Sequence, residues 1–227
     1  KISKKIAGFF QSLKLSKNAK IAVMLPNLLQ NPIFIAATIR AGFVVVNVNP
    51  LYSSRELNHQ LIDSGAEILV LLDNFSKIAE KAVENTYIKH IISTSVGDFL
   101  GFKGIIVDFV LRFIKRKTKK INIENKKIKI YFLKKILNSP SLEYNFPKDV
   151  KSYDPVCLQY TGGTTGLSKG AILTNRNLVA NCLQAEAWYK PALDDIGFKD
   201  NGQTISSAGQ PAIVCALPLY HIFAFTA

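Results

Sequence analysis

Cysteine is scarce in this chain of 227 residues, which contains three, Cys157, Cys182 and Cys215. A number this small and odd cannot build a disulfide framework. No two of the three have the C-x-x-C spacing of a metal-binding pair, which argues against a zinc site. We therefore predict that all three are small buried hydrophobic side chains in a protein from a reducing compartment.

Glycine and proline are also few, at 13 and 9, which excludes a collagenous or low-complexity chain. No uncharged apolar run reaches the roughly 18–20 residues that a membrane-spanning helix needs. The basic residues 1–5 are not followed by the apolar stretch and small-residue cleavage site of a signal peptide. Hydrophobic residues nevertheless make up 48% of the chain, which suits one large or two small folded domains.

Acidic residues are outnumbered, with 16 against 29 lysines and arginines, and the formal net charge is +13. Residues 151–227 contain five charges of each sign, so the whole excess lies in residues 1–150. Most of it lies in residues 103–135, where twelve basic residues accompany two acidic ones, a local charge of twelve minus two, or +10. The basic character therefore belongs to one segment and not to the whole molecule.

Residues 104–120 combine an apolar stripe with a basic end. The stripe recurs at helical spacing and consists of Ile105, Ile106, Phe109, Val110, Phe113 and Ile114. The basic residues that follow suit the negative end of the helix dipole. Such a helix can dock on its own domain with its charges solvated, or lie on an anionic membrane surface. A basic patch alone is a weak sign of nucleic-acid binding, and since no such motif is present we predict no nucleic-acid partner.

The rest of the chain alternates β-branched runs with helical patterns. This alternation predicts a layered α/β fold with a largely parallel sheet. A mixed segment up to about residue 147 interrupts it. The predicted strands are 21–25, 43–46, 67–72, 88–92, 156–160, 170–173 and 213–217, and the predicted helices are 31–41, 54–64, 74–85, 104–120 and 175–188, with a long loop at 190–211. Ser53 or Ser54 is the predicted N-cap of the second helix, and Gly65 its end.

One segment carries the residue types that bind phosphate. Residues 160–170 read Tyr-Thr-Gly-Gly-Thr-Thr-Gly-Leu-Ser-Lys-Gly and follow a predicted strand. Glycine lets backbone N–H groups approach an anion, hydroxyls donate hydrogen bonds and Lys169 adds a point charge. The spacing is not that of a Walker A loop, because Leu167 and Ser168 stand where its second glycine is required. The alternative is a plain hairpin turn, which needs no such density of hydroxyls.

Residues 160–170 resemble the phosphate-binding signature of the adenylate-forming acyl-CoA synthetase superfamily. The resemblance continues downstream through residues 171–178 and the Leu-Pro-Leu-Tyr-His-Ile-Phe segment at 217–223. Upstream, residues 23–27 and 46–52 are also similar to the family. The resemblance implies that the chain is part of the large N-terminal domain of an adenylate-forming enzyme.

The inserted basic helix, with Phe109, Phe113, Lys115 and Arg116, is similar to the bacterial long-chain fatty acid–CoA ligase branch of that family. In this branch a fatty acid carboxylate attacks the α-phosphorus of ATP and gives an acyl-adenylate and pyrophosphate. The thiol of coenzyme A then displaces AMP. The resemblance therefore implies ATP, Mg²⁺, coenzyme A and a long-chain fatty acid as cofactors and substrates.

The resemblance also implies roles for individual residues. Thr165, Lys169 and His221 are expected to be catalytic, with Thr165 also a Mg²⁺ ligand. The residues expected to bind the nucleotide are Tyr160, Thr161, Gly162, Gly163, Thr164, Thr165, Gly166, Leu167, Ser168, Lys169 and Gly170.

Tyr220, His221 and Phe225 are the expected substrate-binding residues. In the family, the aromatic and histidine residues of this motif border the acyl and adenylate pocket. Phe225 lies where some long-chain relatives carry an aromatic gate to the fatty acid tunnel. The alternatives stay open: His221 as an ordinary core or surface histidine, and Phe225 as an ordinary core phenylalanine.

Three parts are expected along the chain: an α/β subdomain at 1–100, a basic amphipathic insertion at 101–150 and a phosphate-loop subdomain at 151–227. The family's later segments do not follow, so we expect an internal fragment that lacks the C-terminal domain and is inactive alone. Its expected location is cytoplasmic, or peripheral on the inner face of the membrane.

Two other functions remain open at this stage. One is the adenylation of another carboxylic acid on the same scaffold. The other is a truncated remnant that binds nucleotide or membrane without turnover. The sequence gives no oligomeric state.

Overall fold

A computed structural model of the chain describes residues 1–114, 121–123, 127–140, 142–161, 168–195, 199–200, 203–204, 214–222 and 224. In this part of the chain, helices and strands alternate along most of the sequence. Their bounds are α1 (Ile2–Ser12), β1 (Lys20–Met24), α2 (Gln30–Arg40), β2 (Val44–Asn47), α3 (Ser54–Ser64), β3 (Ala66–Leu72), α4 (Ser76–Ala82), β4 (His90–Thr94), α5 (Gly101–Phe109), β5 (Lys129–Phe132), α6 (Leu133–Asn138), β6 (Pro155–Thr161), β7 (Lys169–Thr174), α7 (Asn175–Asp195), β8 (Lys199–Asp200) and β9 (Gln203–Thr204).

Seven of these strands form one sheet in the order β5-β4-β3-β1-β2-β6-β7. Every neighbouring pair from β5 to β6 is parallel, and β7 pairs with β6 antiparallel. The predicted α/β class with a largely parallel sheet is therefore confirmed. The sheet takes strands from all three parts expected in the sequence, and the division into those parts itself stays a prediction.

Helices cover both faces of the sheet, as a parallel sheet requires. Along β3, Leu69 and Leu71 pack on one face with residues of α3 and α4. Ile68 and Val70 pack on the other face with residues of α1, α2 and α6. All seven residues of β3 are buried, which is why the strand is almost continuously apolar and not alternating.

Local signals fix the ends of α3. Ser53 is its N-cap: the Glu56 backbone N–H donates to the Ser53 hydroxyl, and the Glu56 side chain accepts from the Ser53 backbone N–H. These hydrogen bonds from Ser53 lower the pKa of Glu56. Gly65 ends the helix in the left-handed region, at φ 63°. The N-cap and the helix end predicted from the sequence are both confirmed.

Several elements differ from the sequence prediction. Residues 214–217 form no strand, although 213–217 were predicted as one. The carbonyls of Cys215 and Leu217 accept instead from the Asn27 side chain. Helix α7 runs on to Asp195, and β8 and β9 form a short hairpin in the predicted loop. Helix α1 was not predicted, and β5 and α6 lie in the segment that the sequence left as mixed.

Helix α5 docks through small and acidic residues, and its apolar stripe faces outward. Gly104 is buried against the backbone of Gly97. Asp108 accepts from the Gly97 backbone N–H at 2.9 Å and from the Ser95 hydroxyl at 2.7 Å. The large apolar residues more than half exposed on this segment are Phe102, Ile105, Ile106, Phe109 and Phe113. A π-helical turn, Val110–Ile114, continues the helix.

The helix prediction for 104–120 is therefore confirmed for its described part, while residues 115–120 lie outside the described residues. Across the described ranges, the helices are all too short or too polar to cross a membrane.

We expect Gly104→Ala to destabilise the docking of α5. A Cβ at Gly104 would overlap the backbone of Gly97, which cannot move aside as a flexible side chain could. The expected loss of unfolding free energy is about 1–3 kcal/mol, measured by chemical denaturation. Lys103→Ala, at an exposed position of the same helix, is the matched control and is expected to change stability little. Equal stability of Gly104→Ala and Lys103→Ala would contradict the close packing.

Candidate active site

The carboxyl ends of β1, β2 and β6 lie side by side and are followed by polar residues. In open α/β sheets, ligands bind in the crevice outside the carboxyl ends of the strands. Here β2 lies between β1 and β6. Asn27 follows β1, Asn47 ends β2, and Gln159 and Tyr160 lie at the end of β6. At this edge, the described parts of two motifs come together: the phosphate-loop motif, residues 160–170, and the second motif, residues 217–223.

The predicted phosphate loop connects two strands of an antiparallel hairpin. In the hairpin, Thr161 lies opposite Lys169 and Tyr160 opposite Gly170. Thr161 and Lys169 are exposed and Ser168 is half-buried. The loop itself lies outside the described residues, which places there the predictions for Gly162, Gly163, Thr164, Thr165, Gly166 and Leu167. The described ends therefore fix where the loop begins and ends.

Tyr160 anchors the base of this hairpin. Its hydroxyl donates to Asp63 Oδ2 at 2.5 Å, near the end of α3. Burial raises the pKa of Tyr160, and the hydrogen bond to Asp63 raises the pKa further, so the hydroxyl stays protonated and remains a donor. The ring packs against Gly170, where a Cβ would come within 2.9 Å of a ring carbon. Glycine at this position therefore lets the aromatic ring lie across the paired strand.

A chain of buried amides joins α3 to the second motif. Gln60 Nε2 donates to the Asn47 carbonyl at 2.8 Å. Asn47 Nδ2 donates to Gln159 Oε1 at 3.0 Å. Gln159 Nε2 in turn donates to the Tyr220 carbonyl at 3.0 Å. Because buried amides cost free energy unless they are paired, this chain fixes the position of Tyr220 relative to β6.

Asn27 holds the same segment from the β1 side. Its Nδ2 donates to the Leu217 carbonyl at 2.8 Å and to the Cys215 carbonyl at 3.3 Å. Its Oδ1 accepts from the Leu219 backbone N–H at 2.8 Å. A turn follows, in which the His221 N–H donates to the Pro218 carbonyl at 2.9 Å.

The two predicted motifs thus meet at one edge of the sheet. Gln159, adjacent to Tyr160, contacts the backbone of Tyr220, which is half-buried, and His221 is exposed beside it. Phe225 lies outside the described residues. Sequence reasoning missed Asn27, Asn47 and Gln159 as site residues. The available signal was a polar amide at the end of each of three apolar strands.

The cysteine prediction holds for one residue of three. Cys157 is buried in β6, and burial raises the pKa of its thiol to about 12. Cys182 and Cys215 are exposed, so the prediction of burial is wrong for both. Cys182 lies in α7, and Cys215 lies in the irregular segment whose carbonyls accept hydrogen bonds from Asn27.

No resident metal site is built from the described residues. Among them, histidine, cysteine, aspartate and glutamate form no group of three that could hold a metal ion. The predicted ligand Thr165 lies outside the described residues.

A cavity of about 570 Å³ lies away from this edge of the sheet, between α5 and the ends of β4 and β5. It is lined by no residue of the two motifs.

Comparison with known proteins identifies a family that matches the whole chain. The family model described as AMP-binding enzyme matches residues 1–227. A long-chain-fatty-acid–CoA ligase from Yersinia pestis is 46% identical over 95% of the chain, and one from Salmonella typhimurium is 44% identical over 95%. The chain spans 36% of the length of each of these relatives.

Solved structures match the fold over 99% of the chain. A long-chain-fatty-acid–CoA ligase from Archaeoglobus fulgidus has a TM-score of 0.65 at 24% identity, and the chain covers 35% of it. ATP-bound MatB from Rhodopseudomonas palustris has a TM-score of 0.67 at 18% identity, again with 35% covered. The match of the family model over all 227 residues assigns the family: this chain belongs to the AMP-binding enzymes.

Proposed function

We propose that the protein activates long-chain fatty acids as acyl-CoA through an acyl-adenylate. The observation that carries this proposal is the junction of the two motifs, where Gln159 of the phosphate-loop hairpin donates to the Tyr220 carbonyl. A phosphate-binding loop beside a second, aromatic and histidine-containing segment suits a reaction that joins a nucleotide to an acid. The 44–46% identity to long-chain-fatty-acid–CoA ligases supports the same substrate class.

In the first step, a carboxylate oxygen of the fatty acid attacks the α-phosphorus of ATP. The bond to the bridging oxygen of pyrophosphate breaks, and pyrophosphate leaves with the charge. Thr161, the loop 162–167, Ser168 and Lys169 supply hydroxyls, backbone N–H groups and a cation to the β- and γ-phosphates. They stabilise the charge that develops on the leaving group. Mg²⁺ enters with ATP as part of the substrate, and Thr165 is its proposed protein ligand.

In the second step, the thiol of coenzyme A attacks the acyl carbonyl and AMP leaves, while the thiol proton passes to solvent. Tyr220 and His221 border the acyl and adenylate groups in this proposal, and Phe225 lies at the entrance for the acyl chain. Tyr160 and Gly170 contribute through the base of the hairpin, where the Tyr160 hydroxyl is held by Asp63. His221 is exposed at this edge, which leaves it accessible to a bound acyl-adenylate.

A second candidate is the adenylation of another carboxylic acid. A 4-coumarate–CoA ligase from Pinus taeda is 27% identical over 98% of the chain, which favours a scaffold shared between acid classes. A panel of long-chain, short-chain and aromatic acids, assayed by acid-dependent ATP–pyrophosphate exchange, separates the candidates. Highest activity with an aromatic acid would replace the long-chain proposal.

The exposed stripe of α5 supports an anionic membrane surface as a further partner. Phe102, Ile106 and Phe109 are more than half exposed on the described part of the helix. Lys115, Arg116 and Lys117 follow directly in the sequence. An apolar face inserts at the headgroup boundary while basic residues contact anionic lipid. We place the protein in the cytoplasm, peripherally on the inner face of the membrane.

We expect Lys169→Ala to lower palmitate-dependent ATP–pyrophosphate exchange by about 10²–10³-fold, because the variant loses the lysine's positive charge, which would stabilise the pyrophosphate leaving group. The full-length gene product is assayed, with residues 1–227 alone in parallel. Lys190→Ala, an exposed lysine on α7, is the matched control and is expected to leave exchange unchanged. Equal exchange in Lys169→Ala and Lys190→Ala would refute the assignment of the loop, and robust exchange by residues 1–227 alone would show that this segment suffices.

Changing Lys115, Arg116 and Lys117 to Glu is expected to lower sedimentation with phosphatidylglycerol vesicles at least about tenfold, since each basic residue contributes about 1 kcal/mol near such a surface. The control carries the same reversal at three exposed lysines elsewhere, Lys148, Lys151 and Lys190. Absence of vesicle binding by the unchanged protein would exclude the membrane partner. Equal losses in the two variants would mean that net charge alone, and not this helix, determines binding.

A further inference from the structure

We propose that Asn27 is a positioning residue for the acyl side of the site. The side chain lies outside both motifs, more than 130 residues before the phosphate loop. The inference rests on the proposed function, because it concerns the fatty acid that Tyr220 and His221 are proposed to contact. It goes further because it assigns the positioning of those two side chains to a residue that follows β1.

The argument begins with the hydrogen bonds of one side chain. Asn27 reaches three backbone groups of one segment: the carbonyls of Cys215 and Leu217 and the N–H of Leu219. An asparagine amide carries two donor hydrogens and an acceptor oxygen. Asn27 therefore uses both kinds of group on the same segment, as a neighbouring strand would. Aspartate lacks the donors, and glutamine is longer by one methylene.

The segment makes little other regular structure in the described part of the chain. Two hydrogen bonds between its own backbone groups are local turns, from Ala216 to the Val214 carbonyl and from His221 to the Pro218 carbonyl. Neither turn connects the segment to the sheet. Two side chains connect its described residues to the ends of the strands, Asn27 at residues 215–219 and Gln159 at Tyr220.

The two side chains serve different parts of the site. Gln159 lies in β6 beside Tyr160, so a change there also disturbs the phosphate-loop hairpin. Asn27 follows β1, and its described hydrogen bonds go to the 215–219 segment. Loss of Asn27 should therefore displace Tyr220 and His221 while the hairpin stays in place. The substitution should therefore weaken the binding of the acid substrate and leave the binding of ATP unchanged.

The test is Asn27→Ala in the full-length gene product, assayed by palmitate-dependent ATP–pyrophosphate exchange. Tyr220 and His221, once displaced, would make fewer contacts with the bound acid, and a loss of binding contacts raises KM, so we expect the KM for palmitate to rise between about 10- and 100-fold. The KM for ATP is expected to stay within about twofold, since the hairpin is untouched. A role in folding alone would lower the yield of active enzyme and leave both KM values unchanged.

Asn58→Ala is the matched control. The Asn58 amide also bridges two backbone carbonyls, those of Ala82 and Glu84, at 2.8 and 2.9 Å, but it does so at the end of α4. The control is expected to lower the melting temperature without changing the KM for palmitate. A rise in that KM equal to the rise in Asn27→Ala would overturn the specific role of Asn27.

Hydrogen exchange gives a readout that does not depend on turnover. In Asn27→Ala, peptides spanning 214–222 should exchange faster, while those of β1 to β4 keep their protection. In Asn27→Asp, the Leu219 N–H keeps an acceptor and should stay more protected than in Asn27→Ala. Unchanged exchange at 214–222 in Asn27→Ala would overturn the proposal.

The outcomes separate this inference from the proposed function. An active gene product whose KM for palmitate is unchanged by Asn27→Ala overturns the role of Asn27 and leaves the proposed function standing. A gene product with no acid-dependent exchange overturns both.

Discussion

The register of β2 against β6 is the constraint on which the site depends. It pairs Val45 with Cys157, Val46 with Leu158 and Asn47 with Gln159, across more than 100 residues of sequence. This register sets the two amides side by side at the carboxyl edge, where Gln159 can also reach Tyr220. Because side chains alternate along a strand, a slip of one residue would turn Gln159 to the opposite face. The hairpin and the second motif would then no longer meet.

Elements with two independent local signals were predicted well. Helix α3 has Ser53 at its start and Gly65 at its end, and β3 is an apolar run between turns, so neighbouring residues alone decide both. The region of β5 and α6 was missed because its pattern is weak: β5 is a four-residue strand at the edge of the sheet, which begins at the exposed Lys129 and buries its other three residues only in part. There, pairing with β4 decides the structure, and that pairing is a long-range contact.

The site residues also differ in whether neighbouring sequence alone identifies them. Residues 160–170 could be identified because phosphate chemistry requires glycine, hydroxyl and lysine close together in sequence. Asn27 could not, because its partners lie 188 to 192 residues away and a single asparagine after a strand is also typical of an ordinary turn. The strand predicted at 213–217 failed for the same reason. Its apolar residues resemble a strand, but its backbone groups find a side chain in place of a neighbouring strand.

The positive charge is unevenly distributed along the chain. The whole excess of +13 lies in residues 1–150, and residues 151–227, which carry the hairpin and the second motif, are neutral overall. In the proposed function, the net charge of residues 151–227 does not attract anionic ATP, and backbone N–H groups, hydroxyls and Lys169 would hold it at short range. Asp108 is satisfied by Ser95 and Gly97, so the acid on α5 faces inward while the apolar stripe faces out. In the sequence, most of this excess lies in residues 103–135, and its proposed partner is an anionic lipid surface and not the nucleotide.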